Sequence, residues 1–211
     1  MNKKVLLAAF TVLIALTNGA RANSAQGDNR NLRERAQQER SVREFQNPKS
    51  TTVYSDLSQL VNDSAIVIIG TVQKNTPTLS PDGKSISLNY EVRVEYVYKG
   101  RTQPDSTITV SLPGGRVKFD DGSTAEIMTP WLRKMQNGKS YALFLQPGNV
   151  KGQFVTTGEA QGLVEIPTDA SDRTVKTSSG IQSHPIRRYN GQDVKVFLRE
   201  LRQVTGKPLK N

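Results

Sequence analysis

Hydrophobic positions along the chain follow two periods. From Ile86 they alternate, through Leu88, Tyr90, Val92 and Val94 to Tyr96 or Val97, with Glu91, Arg93 and Glu95 interleaved. That period of two predicts a long strand with one buried face, ended by Lys99-Gly100. Residues 65–72 (AIVIIGTV) form a continuous β-branched run, which predicts a strand buried on both faces. Gly70 inside it predicts a bulge or bend. Further strands are predicted over 107–112, 141–145, 153–157 and 163–166, and residues 116–119 and 124–127 read as a hairpin around Asp120-Asp121-Gly122. Ser80-Pro81-Asp82-Gly83, Pro113-Gly114-Gly115 and Asn137-Gly138 mark turns.

Helical spacing is confined to the ends. Leu57, Leu60 and Val61 share a face of a short helix over 54–62, with Ser55 as its cap. Val194, Phe197, Leu198, Leu201 and Val204 predict a C-terminal amphipathic helix, capped by Asn190 or Gly191 and stopped by Gly206-Lys207-Pro208. Residues 129–135 read as a short helical turn with Pro130 at its first position. Residues 170–183 are polar and suit a loop or hairpin. Short strands between glycine turns, with helices at the ends, predict a mainly β chain: an antiparallel barrel or sandwich with accessory helices.

The first 22 residues stand apart. Lys3 and Lys4 precede the apolar run 5–16 (VLLAAFTVLIAL), and Ala20-Arg21-Ala22 is an A-x-A cleavage signal. This is the form of a secretory signal peptide, and the run is too short to span a bilayer. The expectation is a secreted or periplasmic protein cleaved after Ala22. Residues 23–50 are rich in Asn, Gln, Arg and Glu, with only Leu32, Ala36, Val42 and Phe45 as spaced apolar positions. They read as a disordered or loosely helical, solvated leader whose removal leaves the melting temperature unchanged. The β domain and its C-terminal helix then occupy 51–206, with a tail at 207–211.

Composition narrows the chemistry. The chain has 211 residues, no Cys and one His, His184. Disulfides, thiolate metal sites and cysteine nucleophiles are excluded. His184 lacks a nucleophile elbow and acidic metal-binding partners, so it reads as an ordinary loop or surface histidine. Asp120-Asp121-Gly122-Ser123 with Glu126 lacks the spacing of a calcium loop and reads as a hairpin turn. Gly114-Gly115-Arg116 lacks the ending of a phosphate-binding loop and reads as a turn between strands. No catalytic residues, metal site or cofactor site are expected.

The formal charge is +10, and loss of Lys3, Lys4 and Arg21 with the signal peptide leaves +7. Arg187, Arg188, Lys195, Arg199 and Arg202 form a candidate anion-binding set. Lys195, Arg199 and Arg202 stand at i, i+4 and i+7 on one solvent face of the C-terminal helix. Nucleic acid is not the expected partner, because stacking requires exposed aromatics. Tyr90, Tyr96 and Tyr98, evenly spaced on one strand, are expected to share a face, and core packing accounts for at least some of them.

The run Asp63-Ser64-Ala65-Ile66-Val67-Ile68-Ile69-Gly70-Thr71-Val72 precedes a strand ending Val94-Glu95-Tyr96-Val97-Tyr98-Lys99-Gly100. Ile108-Thr109-Val110 and Gly138-Lys139-Ser140-Tyr141-Ala142-Leu143-Phe144-Leu145 follow. This order over residues 54–166 resembles a group of uncharacterised secreted bacterial proteins. More distantly, it resembles the netrin module and the tissue inhibitors of metalloproteinases. The resemblance implies an OB-type five-stranded barrel and a secreted location. Those inhibitors set an N-terminal Cys against the protease metal, and this chain has none, so inhibition is not implied. The expected function is a non-enzymatic binding or accessory module of the cell envelope, with a protein or an anionic partner. The alternatives are a protease-associated or inhibitor-like factor and a binder of anionic polymers through the basic C-terminal helix.

Overall fold

The computed structural model of this chain describes residues 30–48, 52–168, 171–178 and 184–207. The predicted signal peptide and all of the predicted tail except Lys207 lie outside the described residues. In chain order the elements are α1 (Leu32–Glu39), β1 (Ser41–Phe45), α2 (Leu57–Asp63), β2 (Ile66–Leu79), β3 (Ile86–Lys99), β4 (Thr107–Pro113), β5 (Gly115–Lys118), β6 (Thr124–Met128), β7 (Ser140–Pro147), β8 (Gln153–Thr156), β9 (Leu163–Ile166), β10 (Lys176–Thr177) and α3 (Val194–Thr205). The described chain is mainly β.

Two sheets form. One runs β10-β9-β7-β2-β3-β4-β8, and β8 also pairs with β7. The pairings β7-β2-β3-β4-β8-β7 therefore return to their start. The other sheet runs β1-β6-β5. Both are mixed, because β4–β8 and β1–β6 are parallel. This corrects the expectation of wholly antiparallel pairing. β8 returns beside β4 after the β7 crossing, and β1 reaches β6 from far upstream in the chain.

Alternation along β2 and β7 feeds two cores. Ile66, Ile68 and Val72 join Tyr141, Leu143 and Leu145 in one, which also takes side chains from β3 and β4, with Phe154 of β8 packed against it. Val67 joins Ala142 and Phe144 in the other, beneath Leu57, Leu60 and Val61 of α2 and Phe197 and Leu201 of α3. The predicted double-sided burial is present from Ile66 to Ile68, whereas Ala65 is exposed ahead of the strand and Ile69 and Thr71 are half-buried. The strand itself continues to Leu79, because β3 supplies a ladder partner as far as Ile86.

The ladder shifts register between Ile69 and Gly70. A Cβ on Gly70 would stand 2.5 Å from Val92 Cγ1 and 2.8 Å from the Arg93 carbonyl oxygen. Here Tyr96 faces Ile69 while Val94 faces Gly70, so Glu95 is an extra residue in β3. Such a bulge reverses the faces beyond it. Tyr90 therefore lies in the first core, while Tyr98, with Tyr96 packed alongside, lies in the second. The three tyrosines do not share a face.

Residues 129–135 make one turn, closed by the Leu132 N–H to the Thr129 carbonyl at 3.0 Å, and then continue without regular structure. Leu132 and Met135 enter the first core, and the Gln136 backbone N–H donates to the Tyr141 hydroxyl at 2.9 Å. This anchoring competes successfully with local helix formation. The helix caps also differ from expectation. Asp56 caps α2 and Asp193 caps α3, each accepting a backbone N–H with its side chain. Of the polar stretch 170–183, Lys176–Thr177 adds an edge strand to β9.

Residues 30–48 correct the leader expectation. Asn31 and Glu34 form a capping box on α1, and β1 pairs with β6 from Ser41↔Thr124 to Phe45↔Met128. Leu32, Ala36 and Val42 are fully or almost fully buried in a third cluster with Ile86, Phe119, Ala125 and Ile127. The apolar surface that this segment lacks is supplied by β6 and the β2–β3 hairpin.

Two outcomes follow from this packing. Gly70→Ala is expected to cost about 1–3 kcal/mol in urea unfolding, because its new methyl meets β3. Removal of residues 23–48 is expected to lower the melting temperature by several degrees, at about 2–4 °C for each kcal/mol lost. An unchanged melting temperature would return this segment to a solvated leader.

Candidate anion-binding surface

Helix α3 presents most of the basic residues singled out by the sequence. The Asp193 carboxylate accepts the Lys195 backbone N–H at 2.7 Å, and Gly206, at φ 65°, ends the helix. Buried Phe197 and Leu201, with Val194, Leu198 and Val204 packed alongside, fix its rotation. The helical period then places Lys195, Arg199 and Arg202 on one flank, about 6 Å and about 4.5 Å apart along the axis. Glu200 falls on the opposite flank.

The five candidate residues divide accordingly. Arg188 sits in the 3-10 helix Pro185–Tyr189, before α3, and is an ion-pair partner of Glu200 at 3.0 Å. The Tyr189 hydroxyl donates to Glu200 at 2.6 Å and accepts from Arg188 at 2.5 Å. The Arg188 guanidinium also lies 4.7 Å from the centre of the Tyr189 ring, and that ring meets Phe197 edge-on at 5.1 Å. Arg188 is thus committed to a brace between the 3-10 helix and α3. Arg187 is half-buried in the same 3-10 helix.

Lys195 and Arg199 are exposed. Arg202 is half-buried, which corrects its expected solvent-facing position. Burial raises the pKa of the Tyr98 hydroxyl, and the nearby Arg202 charge partly offsets that rise. The Arg202 Nε is buried with no hydrogen-bond partner among the described residues. Tyr98 in turn packs on Tyr96, with ring centres 4.7 Å apart. Among the described residues Lys195 and Arg199 therefore have no ion pair, while Arg202 lies close to the Tyr98 hydroxyl. The sequence pattern marked Tyr98 only as one of three tyrosines expected to share a face and did not mark Glu200, whose partner Arg188 lies outside its own helix.

The other candidates have structural places. His184 is buried immediately before the 3-10 helix, not on the surface, and burial lowers its pKa. Asp121 accepts the Ser123 backbone N–H and hydroxyl at 3.0 and 2.6 Å, forming the β5–β6 turn. Gly114, between β4 and β5, and Gly115, the first residue of β5, have φ values of 96° and 131°, and a Cβ on Gly115 would meet Leu88. Among the described residues no group of three or more His, Asp or Glu is placed to hold a metal ion. No helix there is long and apolar enough to cross a membrane.

A scan against protein-family models finds no match to this chain, and a search of curated proteins finds no similar sequence.

The brace has a pH signature. Burial and the Glu200 contact push the Tyr189 hydroxyl up to about 12 from 10.0, and burial pushes Tyr90 to about 12 as well. The folded chain holds these protons where the unfolded chain has released them. Their contribution is complete below about pH 10 and is lost as pH rises toward 12. Tyr189→Phe is expected to cost about 1–3 kcal/mol in urea unfolding at neutral pH, through unmet hydrogen bonds. The same variant should lose less further stability than the parent over the alkaline range. An identical alkaline slope in the two proteins would contradict this account of Tyr189.

Proposed function

We propose that this chain is a secreted, non-enzymatic binding module of the cell envelope, built as an OB-type barrel, which engages an anionic polymer through the basic flank of α3. The pairing circuit supports the barrel reading. Numbered along the chain, β2, β3, β4, β7 and β8 pair in the order 1-2-3-5-4-1, and 3–5 is the parallel pair. That is the strand order of an OB-type barrel, which the netrin-like resemblance implies. Side chains of all five strands pack into or against the enclosed core, so a ligand would meet the outer surface.

One observation carries the choice of ligand. Lys195 and Arg199 are exposed and have no ion pair among the described residues, while Glu200 is held on the opposite flank by Arg188 and Tyr189. The positive flank is therefore not neutralised from within. A row of cations on a helix binds polyanions chiefly by releasing their counterions, with a steep dependence on salt.

Retention on a heparin column, followed against salt, tests this reading. The parent should elute earlier as salt rises. Lys195→Ala with Arg199→Ala should reduce the slope of log affinity against log salt by about 2, one for each lost contact. Unchanged elution of that double variant would remove the flank from the proposal. Arg202 is left in place because its loss would disturb Tyr98.

A further inference from the structure

We propose that the cleft occupied by residues 30–48 is a docking site for the same segment of a second copy, so that two chains exchange N-terminal arms. The inference is independent of the basic flank.

The arm is a separable unit. Its buried side chains, Leu32, Ala36 and Val42, belong to the third cluster, and neither of the two main cores contains a residue of 30–48. Few buried side chains hold many ordered residues, so the arm opens more readily than the rest of the fold. Its departure would leave both main cores closed.

The vacated cleft would be specific. β6 is central in its sheet only because β1 covers one edge, so removing β1 bares a row of backbone donors and acceptors. The floor beside that edge is apolar, with Ile86, Phe119, Ala125 and Ile127. Charges flank it in register with the arm: Arg43 meets Glu126 at 3.1 Å and Arg33 meets Asp120 at 3.4 Å. The backbone also latches at both ends, through Leu32 N–H to the Gly83 carbonyl at 2.8 Å and Gln46 N–H to the Met128 carbonyl at 2.9 Å.

These contacts specify a helix-then-strand segment entering parallel to β6. A second copy carries that segment by definition. The tether gives the chain's own arm a local-concentration advantage, so exchange should rise with protein concentration.

The natural absence of cysteine allows a direct test. Arg43 and Glu126 are registered opposite each other. Arg43→Cys and Glu126→Cys chains are mixed at high concentration, equilibrated and oxidised. A disulfide-linked heterodimer is expected well above the yield from an Arg43→Cys and Lys151→Cys mixture. The double variant R43C/E126C, oxidised while dilute, should form an internal crosslink and then no longer exchange. Heterodimer at or below the control level, while the double variant closes internally, overturns the proposal.

Sedimentation of the cysteine-free chain supplies the second reading, which does not depend on disulfide geometry. A dimer that grows with concentration and disappears in L32D/V42D is expected. A monomer at every concentration, or a dimer unaffected by that double substitution, overturns the proposal.

Discussion

The pairing of β2 with β7, buried on both faces, is the constraint on which the rest of the molecule depends. From Ile66↔Leu145 to Ile69↔Ala142, successive residues point into different cores. One set fills the space among five strands, and the other forms the floor beneath α2 and α3. Two-sided burial lets one strand pair serve both layers, and it holds a chain without disulfides together by packing alone. It also explains Gly70, where β3 approaches too closely for any side chain.

The surface chemistry inherits that geometry. Phe197 and Leu201 must sit on the second core, so α3 has only one available rotation. That rotation sends Glu200 toward Arg188 and leaves Lys195 and Arg199 in solvent. The basic flank is therefore a consequence of core packing as much as of composition. The N-terminal arm follows different physics. It adds an edge and a small third cluster without entering either main core.

Much of the local structure was legible along the chain. Alternation identified the long strand β3, and the β9 strand has its expected limits because Gly162 precedes it and Pro167 follows it. The arm was not legible, because Leu32, Ala36 and Val42 are too sparse to suggest a core. Their covering surface comes from β6, some eighty residues further along. The shared face expected of Tyr90, Tyr96 and Tyr98 failed at one inserted residue, Glu95, which no hydrophobic alternation marks. The helical turn expected over 129–135 ends after its first turn at Leu132, and the backbone just beyond, at Gln136, is anchored by Tyr141. Among the basic residues, the helical flank was visible from spacing, but the engagement of Arg188 with Glu200 and of Arg202 with Tyr98 was not.

By itself the sequence determined the apolar faces of α2 and α3 and that of β3 as far as Val94, since those periods depend only on neighbours a few positions away. It also determined the excess of positive charge and the absence of thiol chemistry. The tertiary structure alone decided which strands meet, that two of the pairings run parallel, that residues 30–48 are packed, and which cations remain unpaired. Those outcomes rest on contacts between residues tens of positions apart, and such contacts form only when the whole chain has closed around its cores.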